Sequence, residues 1–210
     1  MKELDKIAAE IRSCKKCRLW EGRKNAVPGE GNPDAEIMFI GEAPGATEDE
    51  EGRPFVGAAG RLLTELINKK LGIGRDKVYI TNVVKCRPPE NRDPETDEII
   101  ACSPYLDSQI SIIKPKIIVT LGRHSTNYMF NKMNIKFTSI TKVRGKIFKW
   151  KSDYGEVLVL PMLHPATALY NPNMKELLEK DFETLRQLIG NKKPLSIEDF
   201  LSKRGSGDKK

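Results

Sequence analysis

The sequence predicts an α/β fold, a three-layer αβα sandwich on a central four-stranded parallel sheet. Three observations carry that expectation. Four short aliphatic runs, partly β-branched, end at turn or cap residues and read as buried strands. Segments with apolar residues at helical spacing lie between them. Strand and helix alternate along the chain, which favours parallel pairing with helices on both faces.

In chain order, Met1 to Ser13 alternates charged residues with Ala, Ile and Leu at helical spacing. Glu36 to Gly41 (EIMFIG) is the first strand, and Ala58 to Lys70 follows as a helix with Leu62, Leu63, Leu66 and Ile67 on one face. Val78 to Val84 (VYITNVV) is the second strand. Arg87 to Asp97 (RPPENRDPETD) combines three prolines with dense charge and reads as an exposed loop. Glu95 to Ile113 is helical, as is Arg123 to Phe130 after the third strand, Lys116 to Leu121 (KIIVTL). Ile135 to Val157 alternates poorly and holds Gly145 and an Asp153-Tyr154-Gly155 turn signal, which suits an inserted hairpin covering a sheet edge. Val157 to Leu163 (VLVLPML) is the last strand, and Met174 to Ile189 the last helix.

The 210 residues are enough for one domain, and a chain of this size buries roughly 70% of its unfolded surface. Residues 1–190 form that domain in this reading, and 191–210 a basic tail. With 39% hydrophobic and 31% charged residues, the composition excludes a wholly disordered chain, a collagen-like repeat and a disulfide-stapled scaffold. No apolar run approaches the ~18 residues of a membrane span, and the first residues do not form a signal peptide. A soluble, cytoplasmic protein without membrane contact is expected. The net charge is +7, but the last twenty residues hold six basic and three acidic side chains. The domain itself is only moderately basic, a hint of a polyanionic partner.

Cys14 and Cys17 form a Cys-x2-Cys pair, while Cys86 and Cys102 lie far along the chain with 15 residues between them. A short pair puts two thiolates on one turn, and two remote thiolates close a tetrahedral set. Nothing marks the chain for an oxidising compartment, so a metal centre is the better reading than disulfides. Zinc and a [4Fe–4S] cluster both accept four cysteines, and spacing does not choose between them. Lys15, Lys16, Arg18, Lys85 and Arg87 either offset the charge of such a centre or are ordinary surface.

In an open parallel sheet the ligand crevice lies beyond the carboxyl ends of the strands, and the informative residues fall there. The first strand runs into Gly41-Glu42-Ala43-Pro44-Gly45, small residues that let backbone amides approach a ligand. Neither a Walker A motif nor a Gly-x-Gly-x-x-Gly fingerprint is present. Glu48 and Gly52-Arg53-Pro54-Phe55-Val56-Gly57 follow. There Phe55 could stack on a planar base or plug the core. Asn82, near the end of the second strand, offers one acceptor and two donors, enough to read a pyrimidine edge or to bond a loop. The fourth strand ends at His164-Pro165-Ala166, whereas His124 reads as a structural cap on the helix after the third.

The stretch VPGEGNPDAEIMFIGEAPGATEDEEGRPFVGAAGRLL, Val27 to Leu63, closely resembles the first motif block of the family 4 uracil-DNA glycosylases, the iron–sulfur branch found in thermophilic archaea and bacteria. The likeness extends through TNVVKCRPPENRDP, LPMLHPATALY and the cysteine spacing, from Met1 to roughly Gly190. Family 5 enzymes typically carry an apolar residue where Glu42 stands, so Glu42 points to family 4. The resemblance implies a uracil-DNA glycosylase-like fold and a monofunctional hydrolase. Such an enzyme removes uracil from single- or double-stranded DNA, leaves an abasic site and initiates base excision repair.

Under that resemblance Phe55 stacks on the flipped base, Asn82 bonds its O4 and N3 edge, and Glu48 excludes thymine. His164 donates to O2 of the leaving uracilate, Glu42 handles water or the sugar cation, and Gly41 and Ala43 supply backbone contacts. Cys14, Cys17, Cys86 and Cys102 match the ligands of a [4Fe–4S] cluster. The alternatives are a glycosylase that also takes hypoxanthine or G·T mispairs, and a noncatalytic iron–sulfur DNA-binding domain. A monomer is expected. In the tail, Pro194 to Leu201 places Ile197, Phe200 and Leu201 at the spacing of a sliding-clamp-binding peptide. The same residues suit a short terminal helix capped by Ser196.

Overall fold

The computed structural model describes residues 3–190, so the clamp-like segment lies outside the described residues. In chain order the elements are α1 (Glu3–Ser13), α2 (Leu19–Gly22), β1 (Glu30–Gly31), β2 (Ile37–Gly41), α3 (Ala46–Glu51) and α4 (Ala58–Leu66). Then come β3 (Tyr79–Asn82), α5 (Thr96–Ile113), β4 (Ile117–Leu121), α6 (Arg123–Lys132) and α7 (Ile140–Val143). β5 (Phe148–Ser152), β6 (Gly155–Met162), α8 (Pro165–Ala168) and α9 (Pro172–Gly190) complete them.

The sheet runs β1-β3-β2-β4-β6-β5. Its four central strands are parallel, as the alternation of strand and helix requires. The expected count of four is nonetheless too low, because an antiparallel strand borders each edge and brings the total to six. β5 and β6 form the hairpin that the Asp153-Tyr154-Gly155 signal marked. β1 left no such signal. It is two residues long, and Gly31 at φ +128° approaches β3 so closely that a Cβ there would lie 1.9 Å from the Val78 carbonyl oxygen.

Side-chain alternation divides the central strands between two cores. Met38, Ile40, Ile118, Val157 and Val159 face one layer, where they pack with Ile11 of α1 and Leu106 and Ile110 of α5. Ile37, Phe39, Val119, Leu160 and Met162 face the other, with Leu63 and Leu66 of α4 and Phe182 and Leu185 of α9. Phe182 stacks on Phe39 at 6.1 Å between ring centroids, fixing α9 over the middle of the sheet. No described helix is long and apolar enough to cross a membrane.

The chain begins its parallel sheet at β2, adds β3 on one side and β4 then β6 on the other. The carboxyl ends of β2 and β4 therefore flank a switch point, where an open sheet leaves a crevice.

Candidate active site and thiolate centre

The loop after β2 is held open by close packing behind it. A Cβ on Gly41 would lie 2.3 Å from Asn82 Oδ1 and 2.6 Å from Phe55 Cζ, so only glycine lets these two side chains meet over the strand end. Phe55 itself has φ +50°, a left-handed conformation that costs a bulky residue on the order of 1–3 kcal/mol. The surroundings hold it there. Arg75 donates to the carbonyls of Pro54 and Phe55, and a Cβ on Gly60 of α4 would fall 1.9 Å from the Phe55 backbone. Glu48 braces the same loop by accepting from the N–H groups of Val56 at 2.9 Å, Gly57 at 2.8 Å and Gly45 at 3.2 Å.

These parts enclose a cleft of about 330 Å³, lined by Glu42, Glu48, Phe55, Asn82, Arg92 and His164 among others. Ala43 lines it too, while Gly41 lies buried behind Phe55. Asn82, at the end of β3, is 1% exposed and its Oδ1 has no hydrogen-bond partner. An orphan acceptor of this kind costs about 1–3 kcal/mol unless a donor reaches it.

His164 caps α8 by accepting the Ala166 N–H at Nδ1, 3.2 Å away. Burial lowers its pKa from 6.5 to about 4, against the opposing charge of Glu48, so the ring is neutral at pH 7. With Nδ1 an acceptor, the remaining proton sits on Nε2. The ring lies 5.6 Å from that of Phe55, tilted by 31°.

His124 does not cap α6. Gly122 is the cap, and His124 turns its Nε2 to within 3.3 Å of Asp93 Oδ1 and 3.7 Å of Glu42 Oε2. Burial raises the pKa of Glu42, opposed by His124 and reinforced by Asp93. Arg123 pairs with Asp93 and limits that repulsion.

All four cysteines line one cavity beneath α1 and α5 and are free of disulfides. Burial pushes the Cys102 thiol up to about 12 and raises Cys17 and Cys86 as well. Arg23 donates to Cys86 Sγ at 3.0 Å, and the Lys85 main-chain N–H to Cys102 Sγ at 3.2 Å. The Lys85 side chain is not surface: it is 1% exposed, and burial lowers its pKa to about 7 against Cys102 and Asp107. A second link joins this region to the cleft. Glu98 of α5, fully buried, accepts from Arg92 at 2.6 and 2.9 Å and from Arg18, next to Cys17, at 3.1 Å. The Arg92 hydrogen bonds do most to hold its carboxyl down at about 2.

The model of the uracil DNA glycosylase superfamily matches residues 28–186. The type-4 uracil-DNA glycosylase of Sulfurisphaera tokodaii is 64% identical over 211 residues, spanning all of this chain and 96% of that protein. That of Saccharolobus solfataricus is 61% identical over 209 residues, with 100% and 95% covered, and that of Archaeoglobus fulgidus 47% over 201, with 96% and 100%. The chain belongs to the type-4 uracil-DNA glycosylases.

Within that family assignment, four groups here escape a sequence reading. Lys85 and Glu98 look like surface charges until the fold buries them. His124 and Asp93 meet Glu42 only because the loop before α5 folds over the end of β4. Tyr170 did leave a signal, an aromatic just past the His164 helix, and it is 90% exposed.

The His164 environment predicts a pH effect. Because the folded pKa of about 4 lies below the ordinary 6.5, the unfolded chain binds more protons between those values. The group's contribution to stability is therefore complete above pH 6.5 and is lost as pH falls toward 4. Denaturant titrations across that window should show stability falling with acidity, and His164→Asn should flatten the slope.

Proposed function

We propose that this chain excises uracil from DNA through Asn82 and His164, with the four cysteines holding an iron–sulfur cluster. The observation that carries the first part is the orphan Asn82 Oδ1, lining the same cleft as a neutral imidazole whose Nε2 bears the proton. Uracil N3–H fills that acceptor, and the Asn82 amide N–H donates to O4. Cytosine presents an acceptor at N3 and a donor at the exocyclic amine, so both contacts fail.

A base within a duplex is out of reach, and the nucleotide must flip into the cleft. Phe55, fixed by Arg75 and Gly60, offers its ring as the stacking wall. Glu48, its oxygens tied to three amides, is a rigid wall that suits exclusion of a 5-methyl group. As the N-glycosidic bond breaks, its electrons pass to the uracil ring and O2 gains negative charge. His164 Nε2–H meets that charge without giving up its proton, a preorganised stabilisation. Water adds to C1′ of the sugar, its hydroxyl staying on carbon and its proton passing to solvent and finally to uracil N1. Glu42, as the carboxylate at the mouth of the cleft, stabilises the sugar cation and orients the water, and Gly41 and Ala43 supply backbone contacts.

Tyr170, at the outer end of α8, suits a wedge into the stack that the flipped nucleotide leaves. A uracil-release assay on single- and double-stranded substrates tests the reading. His164→Ala should lower the single-turnover rate by roughly 10²–10³-fold with little change in DNA affinity. Asn82→Asp should lower uracil release by roughly 10–10²-fold and introduce cytosine release. Wild-type rates in both variants would overturn the assignment.

The cofactor reading rests on the donor set and the family likeness. Both centres take four thiolates, and the likeness to the type-4 uracil-DNA glycosylases, the iron–sulfur branch, favours a [4Fe–4S] cluster over a single zinc ion. Such a cluster would order the segments around α1, α2 and the start of α5 and would keep all four thiols deprotonated. The purified protein should be brown with a broad visible charge-transfer band, and Cys86→Ala should lose the colour and much solubility. A colourless, fully active protein with one zinc per chain would exclude iron.

Residues 1–190 would then be the glycosylase domain of a cytoplasmic monomer, and 191–210 a tether. Clamp binding through Ile197 and Phe200 would raise the enzyme's concentration on replicating DNA. Titrating a sliding clamp with wild type and Ile197→Ala/Phe200→Ala should show binding only for the former. Equal or absent binding in both retires the tether.

A further inference from the structure

Three residues after Asn82 and one before Cys86, the chain carries a lysine whose side chain turns inward. Its ammonium has three N–H donors and finds three acceptors: Thr81 Oγ1 at 2.6 Å, the Asn82 carbonyl at 2.7 Å and Gln109 Oε1 at 2.7 Å. No donor is left over. Gln109 and Thr81 Oγ1 both donate to the Pro28 carbonyl, and Gln109 also donates to the Tyr79 hydroxyl. The ammonium thus joins the end of β3, the segment before β1 and the middle of α5. The same residue's main-chain N–H reaches Cys102 Sγ, about two turns of α5 from Gln109.

We infer that Lys85 is a positioning residue coupling the cysteine centre to base recognition: its side chain fixes the Asn82 backbone, and its main-chain N–H holds Cys102. The inference rests on the proposed roles of Asn82 and the cysteines. Its physical basis is mutual. A fully buried ammonium is poorly tolerated unless its donors are satisfied, and Thr81 Oγ1, the Asn82 carbonyl and Gln109 Oε1 satisfy all three. In return the anchored backbone presents its amide N–H to Cys102 Sγ at 3.2 Å. The Asn82 carbonyl, accepting from that ammonium, cannot rotate its peptide without breaking a charged hydrogen bond. Its side chain accordingly keeps its direction into the cleft while Oδ1 is still unpartnered. A neutral residue of similar length would fill the space and keep the main-chain N–H to Cys102, but would release the Asn82 carbonyl and loosen the strip that carries both.

The test compares metal-loaded wild type with Lys85→Met and, as a milder change, Thr81→Val, which removes one of the three acceptors. Three quantities are read: single-turnover uracil release, the inhibition constant of free uracil, and the midpoint potential of the metal centre. Affinity for an undamaged duplex serves as a control.

Lys85→Met should slow release at least 10-fold, weaken free uracil at least 10-fold and shift the potential to a more negative value, with duplex affinity unchanged within two-fold. A metal-loaded variant that loses only thermal stability, with release and uracil affinity at wild-type values, overturns the positioning role. An unchanged potential overturns the coupling to the centre. If Lys85→Met fails to fold or to hold metal, Thr81→Val decides: a loss of about three-fold in release and uracil affinity supports the inference, and no loss refutes it. Should wild type itself neither release nor bind uracil, the proposed function fails instead, and that outcome is separate because it precedes any variant.

Discussion

Six consecutive residues, Thr81 to Cys86, are buried, and their path over the end of β2 sets the positions of nearly everything that can act. Beyond the formal end of β3 the chain keeps bonding to its neighbour, Val83 N–H to the Gly41 carbonyl at 3.0 Å and Val84 N–H to that of Glu42 at 2.9 Å. On the other side, the Val27 N–H reaches the Lys85 carbonyl at 2.7 Å. A polar side chain at one end and a thiol at the other are thereby held in a single rigid strip. Because backbone groups in such a strip have no water to fall back on, each bond is costly to break. Asn82 and Cys86 cannot shift independently.

Strain and charge are concentrated around that strip and compensated by the same few residues. Phe55 keeps a left-handed backbone because Arg75 bonds two adjacent carbonyls and Gly60 admits the close approach of α4. Glu98 keeps a buried charge because two arginines, one beside the cysteine pair and one on the cleft, converge on it. Each compensating group belongs to a different element from the group it supports. Local unfolding of any one would release the others, so the site and its surrounding loops should open as a unit rather than fray separately.

The four central strands, their parallel order and the helices on both faces were legible because aliphatic runs and helical spacing report burial on one or two faces. The antiparallel edge at β1 was not, since its two residues, Glu30 and Gly31, carry no strand propensity and owe their pairing to a glycine's backbone. Among site residues, Phe55, Asn82, His164 and the four cysteines stood out by type and place. What could not be read was which charges the fold would bury. Lys85 and Lys15 are equally plausible as surface in a string of letters, and the burial of Lys85 depends on acceptors the letters do not reveal, one of them on Gln109, 24 residues away. His124 was mistaken for a cap because the glycine before α6 could not be recognised as taking that role at φ +90°.

If Asn82 reads the base as proposed, discrimination between uracil and cytosine would follow from where its unsatisfied atom lies. Asn82 Oδ1 already bears the desolvation penalty of a buried acceptor, packed over Gly41 at the edge of the cleft that Asn82 lines. An N–H arriving from uracil removes that penalty, whereas the ring nitrogen of cytosine brings a second acceptor against the first. The difference is then the gain of one hydrogen bond plus the avoidance of a lone-pair repulsion, more than either base could lose to bulk water. Rotating the amide by half a turn would reverse the preference. Oδ1 itself lies over Gly41, where a Cβ would come within 2.3 Å of it and 2.6 Å of Phe55 Cζ, so the amide is confined between the glycine and the ring. On the proposed reading, selectivity would then rest on the packing of a glycine, an aromatic ring and an amide that is in place before the substrate arrives.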